Sequence, residues 1–298
     1  MMPSPDFDQL PFLIRLADDS SPRVRERVAS ELRAFGSRLE SEIRAQSIVL
    51  SRSQRTALDA LQIEDEMSRS WLGWLSQSDE NAKLEAALSH LTQWQIESES
   101  ASSGETQLST QLNLLSRRRS SKHDKPQLGE VLDRLALEFR ATGRPWHPEA
   151  LSAWLFVERG LRGDTRDYYN ARNSNLLHVI ESKRGIPISL SCVFILVGAR
   201  LGLDIRGCNF PGHFLAHARS GGLDLLFDCF DAGRLLSPFE TNAIRKAEPK
   251  LLSTRMPSEV IVARVLRNLT VAYEHTGEFD KVKSIQSMLG ELEQATGL

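Results

Sequence analysis

Cysteine is scarce in this 298-residue sequence: there are three, Cys192, Cys208 and Cys229, and no CxxC spacing joins any two of them. An odd count without ligand spacing argues against a disulfide framework and gives no metal site, and it fits reduced thiols in a cytoplasmic protein. An excess of charge of one sign is also missing. Lysine and arginine number 37 against 39 aspartates and glutamates, a net charge of −2, which leaves no basic footprint for nucleic acid. Long apolar runs are absent too, since "LSCVFILVGARLGL" is interrupted by Arg200 and falls short of a membrane span. The opening "MMPSPDFDQL" has no basic region followed by an apolar core, so no secretory signal is expected. What remains, 41% hydrophobic and 26% charged residues, is the composition of an ordinary globular chain long enough for one large domain or two smaller ones.

The first 95 residues read as helices. Ser21 precedes Pro22 at a helix start, and Val24, Val28 and Leu32 fall on one side of that helix. With the preceding helix around Leu10 and Ile14, residues 7–36 resemble a single HEAT-type helical pair. From 96 to 126 the composition turns to serine and charge, in "ESESASSGETQ" and "SRRRSSKHDKP", and reads as a linker. A core region follows over 127–250. It contains amphipathic helices and a helix in "NSNLLHVIESKRG" expected to be capped by Ser174 and stopped by Gly185. The segment Leu190–Leu201 then carries apolar residues on every face, which requires burial on all sides. The period next switches to two: "LDIRGCNF", "GHFLAHAR" and "LDLLFDCF" read as strands, the last two joined at "SGG". Residues 251–298 return to helical spacing, with Leu266, Leu269, Tyr273 and Gly277 placed as in a tetratricopeptide helix pair.

Three residues suggest chemistry. Ser189 follows the breaker "RGIP" and is the first capping residue before the buried helix, where unpaired N–H groups and partial positive charge concentrate. His213 and Asp228 belong to the two strands flanking "SGG". With Ser220–Gly221 as the turn, His213 falls opposite Asp228 and His217 opposite Asp224, all on one face. A carboxylate across the hairpin fixes the tautomer of an imidazole and raises its basicity, as a general base requires. The second pair, beside the turn, reads as a surface contact of little energy. The three cysteines read as small buried hydrophobes.

The order of nucleophile at a helix start, then His, then Asp resembles the transglutaminase-like superfamily. More closely, "YYNARNSNLLHVIESKRGIPISLS", "NFPGHFL" and "GRLLS" resemble its SirB-type family, over about residues 127–290. The resemblance implies an α+β fold: a papain/transglutaminase-like core with a central buried helix on an antiparallel sheet, a helical N-terminal region and a C-terminal helical hairpin. Catalytic relatives open that helix with Gly-x-Cys, whereas this chain has Gly185, Pro187 and Ser189. The resemblance therefore implies a non-catalytic or weakly active interaction or regulatory protein, binding protein partners through its helical ends, with no cofactor. The alternative is a serine-variant acyl transferase or amidase using Ser189, His213 and Asp228 as a triad. On either reading Ser189 is expected to be primarily a site residue, inherited in position and more than a cap. Asn173 matches the family's Asn-Ser dipeptide and is a candidate for binding in the cleft.

Overall fold

The protein is described by a computed structural model over residues 7–33, 35, 39–58, 71–102, 127–210, 213–248, 252 and 255–298. It divides into two compact units, Met1–Gly73 and Trp74–Leu298.

In the first unit, helices Leu10–Leu16, Pro22–Arg33 and Leu39–Ala45 follow one another. Leu10, Ile14, Val28, Leu32, Leu39 and Ile43 form their shared core. Pro22 does open its helix, where its fixed φ suits the first turn and its missing N–H costs nothing.

The second unit begins earlier than the composition suggests. Helix Glu80–Ser102 buries Leu84, Leu88, Leu91 and Trp94, and its Gln95 amide donates to the Ala171 carbonyl at 3.0 Å. The boundary expected near residue 95 thus falls inside a helix of the second unit. The serine-rich stretch is helical up to Ser102, and 103–126 lie outside the described residues.

The centre of this unit is helix Pro187–Arg200, in which every side chain from Ile188 to Gly198 is buried. Val193, Phe194 and Val197 are fully inaccessible, as a helix apolar on all faces must be. It packs against helices Leu128–Ala141 and Leu176–Ser182 on one side and against the sheet on the other. The helix starts two residues before Ser189, because Pro187 occupies its first position and Ile186 is the extended residue ahead of it. Similarly, Asn175 rather than Ser174 caps Leu176–Ser182, accepting from His178 N–H at 3.1 Å. That helix stops at Lys183, which itself takes the left-handed conformation, two residues ahead of the expected Gly185. At the far end Arg200 reaches Glu85 with two bonds of 2.8 Å and Asp133 at 2.5 Å, tying three helices together.

The sheet is antiparallel in the order β3 (Ile205–Cys208), β4 (Leu215–Ser220), β5 (Leu223–Asp228), β6 (Arg234–Leu235); β1 (Arg162–Gly163) and β2 (Arg184–Gly185) form a separate parallel pair. Gly221 and Gly222, with φ of 56° and 82°, make the two-residue turn between β4 and β5, a conformation that side chains resist. This moves the register by two from the expected pairing: Arg219 faces Asp224, and His217 faces Leu226. A shift of two preserves which face each side chain occupies. The C-terminal helices Ser258–Thr276 and Phe279–Thr296 form a hairpin whose core includes Leu266, Leu269, Tyr273, Ile285 and Leu292.

Candidate functional site

Two loops and the start of the central helix meet around Ser189. The Asp164 carboxylate accepts the backbone N–H groups of Arg166 and Asp167, both at 3.1 Å, and so folds the loop ahead of Tyr168. These bonds and that of Asn173 hold the Asp164 carboxyl below its ordinary range, although burial works in the other direction as the largest influence. The Asn173 amide donates to the Asp167 carbonyl at 2.7 Å and to Asp164 Oδ2 at 3.3 Å. Asn173 is only 1% exposed, so its side chain fastens the loop from inside.

Ser189 is equally enclosed, at 1% exposure. Its Oγ accepts the Ile186 N–H at 3.1 Å and donates to the Asn173 carbonyl at 2.6 Å, with the Ile186 carbonyl at 3.0 Å. A hydroxyl has one proton, and the shorter distance assigns it to Asn173. Gly185 is required beside it, because a Cβ there would lie 2.8 Å from the Ser189 Oγ. The hydroxyl's hydrogen bonds all go to backbone, and the His213 ring is not among its partners.

His213 and Asp228 do come together. His213 lies just before β4, with its Nε2 2.9 Å from Asp228 Oδ2. The other carboxylate oxygen accepts the Phe230 and Asp231 N–H groups, each at 3.1 Å. Burial pushes the Asp228 carboxyl upward, but His213 and these amides outweigh it and hold it below the usual range. The His213 ring is 30% exposed, so a ligand can reach it while its carboxylate partner stays largely covered.

The second pair differs from its expected surface character. His217 is buried, with Nε2 2.9 Å from Asp224 Oδ1, and Arg245 of helix Pro238–Ala247 binds the other oxygen at 2.5 Å. That helix, distant from the hairpin in sequence, closes over the position.

The thiols are sealed. Cys192, Cys208 and Cys229 are each fully buried. Burial pushes Cys208 and Cys229 up to about 12 and Cys192 higher still, so none is a ready thiolate. Among the described residues no cluster of three or more His, Cys, Asp and Glu side chains could hold a metal ion, and no helix is long and apolar enough to cross a membrane.

Sequence reasoning passed over the aromatic border of this site. Tyr168 stacks edge-on against Phe230 at 6.0 Å and against Tyr169 at 5.4 Å, and both tyrosines are more than two-fifths exposed. Arg264 lies over the Phe214 ring at 5.4 Å. The signal was there: Arg264 is a lone charge in the run Ile261–Leu266, whose other members are all buried.

Comparison with known proteins bears on the family alone. Residues 126–267 match the family model described as the transglutaminase-like superfamily. A UPF0162 protein of Xylella fastidiosa (strain Temecula1) is 34% identical over 150 residues, 46% of this chain and 52% of that protein. F-box only protein 21 of Mus musculus is 35% identical over 83 residues, 28% of this chain and 13% of its own length. A UPF0162 protein of Vibrio cholerae is 34% identical over 67 residues, 22% of this chain and 25% of the relative. The chain thus spans about half the length of the first of these relatives, and much less of the others. No solved structure matches. Residues 126–267, which hold the buried central helix, the antiparallel sheet and the His213–Asp228 pair, are thus similar to the transglutaminase-like superfamily.

Proposed function

We propose that the transglutaminase-like domain of this protein is a binding module without acyl-transfer chemistry, of the SirB type, and that it serves a protein partner. The observation that carries this reading is the state of Ser189. An attacking hydroxyl must face its base with the reacting carbonyl in reach. Here the Ser189 proton goes to the Asn173 carbonyl at 2.6 Å, in a place with 1% exposure. A hydroxyl, unlike a thiol, gains no stable anion from a helix N-terminus, so it needs His213 as its base, and His213 is not among its partners. His213 and Asp228 then act as a ligand contact: an imidazole of fixed orientation, open to solvent on one side. The helical hairpins at the two ends of the chain provide further surface for the partner.

One observation favours the serine-triad reading. The His213–Asp228 distance of 2.9 Å is what a general base and its orienting carboxylate require. That chemistry needs Ser189 to leave the Asn173 carbonyl and turn toward His213. Fluorophosphonate labelling separates the two. The binding reading expects no adduct at Ser189 under native conditions. An adduct at Ser189 that disappears in His213→Ala would replace it with the serine triad.

A further inference from the structure

We infer that Arg264 is a carboxylate-binding subsite of the His213–Asp228 cleft, so that the ligand of this domain is a peptide presenting a carboxylate against an aromatic wall. The inference rests on the reading of His213 as a ligand contact and names the class of ligand.

A guanidinium carries five donors and stays charged, so when partly buried it ordinarily meets a carboxylate. The partly buried Arg200 does so with Glu85 and Asp133, and Arg206 with Asp204. Arg264 is half-buried on helix Ser258–Thr276, and among the described residues it has no carboxylate and no hydrogen-bonding partner. Its contact is with the face of Phe214 at 5.4 Å, which leaves the donor edge of the fork unused. Burial accordingly draws the guanidinium pKa down from its ordinary value, with Tyr168 acting in the opposite direction.

Two chains of contacts lead from this cation toward the His213–Asp228 pair. Phe214, under the guanidinium, is the next residue after His213. On the other side Tyr168, close enough to Arg264 for each to influence the other's ionisation, stacks against Phe230, whose N–H binds Asp228. Tyr168 and Phe230 thus form an aromatic border between Arg264 and the Asp228 loop, with the buried Phe214 beneath the guanidinium. Asp228 is engaged by His213 and two backbone amides, so it does not serve as the missing counter-ion. A carboxylate from outside supplies what the fork requires, and the aromatic border suits an apolar side chain next to it.

Three probes test this with the full-length protein: acetyl-Phe-Ala with a free carboxylate, the same dipeptide as its amide, and acetyl-Phe-Glu amide. Binding is followed by calorimetry and by the C2–H resonance of His213, assigned with His213→Gln. We expect one or both carboxylate probes to bind at least tenfold tighter than the neutral amide. The free-carboxylate and glutamyl arms distinguish a chain terminus from an acidic side chain. Arg264→Gln should abolish the preference, Arg264→Lys should keep part of it, and the His213 resonance should move on binding. Unchanged circular dichroism and melting temperature of Arg264→Lys guard against misfolding. Equal binding of all three probes, or an unchanged preference in Arg264→Gln, overturns the inference. So does Arg264-dependent binding that leaves the His213 resonance in place. Fluorophosphonate labelling measures chemistry at Ser189 with no carboxylate present, so the functional reading and this inference can fail separately.

Discussion

Replacing Ser189 by alanine separates a structural hydroxyl from a catalytic one. The substitution leaves Cβ in place and removes one oxygen that is 3.1 Å from the Ile186 N–H and 2.6 Å from the Asn173 carbonyl. The Ile186 carbonyl keeps its bond from the Leu190 N–H at 3.1 Å, so two groups rather than three are orphaned. Both residues are almost wholly enclosed, and a buried unpaired polar group costs about 1–3 kcal/mol. Alanine returns about 0.5 kcal/mol through its better helix propensity. The net expectation is a loss of about 1.5–5.5 kcal/mol. Urea unfolding of the wild type and Ser189→Ala, followed by circular dichroism, reads it as a lower midpoint at unchanged slope. A nucleophile held for reaction behaves in the opposite way, since active-site groups commonly reduce stability and their removal is neutral or favourable. A loss below about 0.5 kcal/mol, the range of an uninvolved surface change, would refute the assignment of Ser189 to the loop and helix start.

Other expectations concern the rest of the domain. Asp228→Asn keeps an acceptor for the Phe230 and Asp231 N–H groups but removes the charge facing His213, and should cost about 1–2 kcal/mol at pH 6. The Asp228 pKa is depressed in the folded state, so its contribution is present above the unfolded value near 4 and fades as pH falls through the folded one. Urea midpoints of wild type and variant should converge as pH falls through the folded value, and a constant gap would contradict this linkage. Iodoacetamide should modify none of the three buried cysteines in the native protein and all of them in urea; rapid native alkylation would show that the core opens. Phe194→Ala removes a ring packed against Phe156 at 5.6 Å and Phe227 at 5.2 Å, and should cost about 3–5 kcal/mol by denaturant unfolding. A fragment of residues 74–298 should unfold in one cooperative transition, whereas a broad one would argue against the division at Gly73.

The parts of the fold legible in the sequence are those decided by local pattern. The central helix could be read because an element apolar on every face has one place to go. Strands β3 to β5 could be read because alternation and the glycine turn are local. The start of the central helix was misplaced because Pro187, read as a breaker, is also the residue best suited to a first helical position. His217 was taken for a surface residue because this face of the hairpin is packed by helix Pro238–Ala247, whose Ile244 meets Leu215 and Leu226 and whose Arg245 holds Asp224. The bonds of Ser189 depend on the Asn173 carbonyl, 16 residues away, a backbone group that no side-chain pattern announces. Arg264 was visible as an anomaly in an apolar run, but its relation to Phe214 and Tyr168 depends on how a terminal helix docks.

The Gly221–Gly222 turn carries a consequence for how this domain tolerates change. Lengthening or shortening the hairpin by an even number of residues leaves inward and outward positions alternating as before. His217 then stays on the covered face with a carboxylate one pleat away. An odd insertion inverts the parity of everything beyond it, turning Asp224 and Leu226 together to the other face and exposing what the helix Pro238–Ala247 now covers. Lineages of such a domain are therefore expected to vary the tip of this hairpin in steps of two. An odd step would survive only with a bulge that absorbs the extra residue.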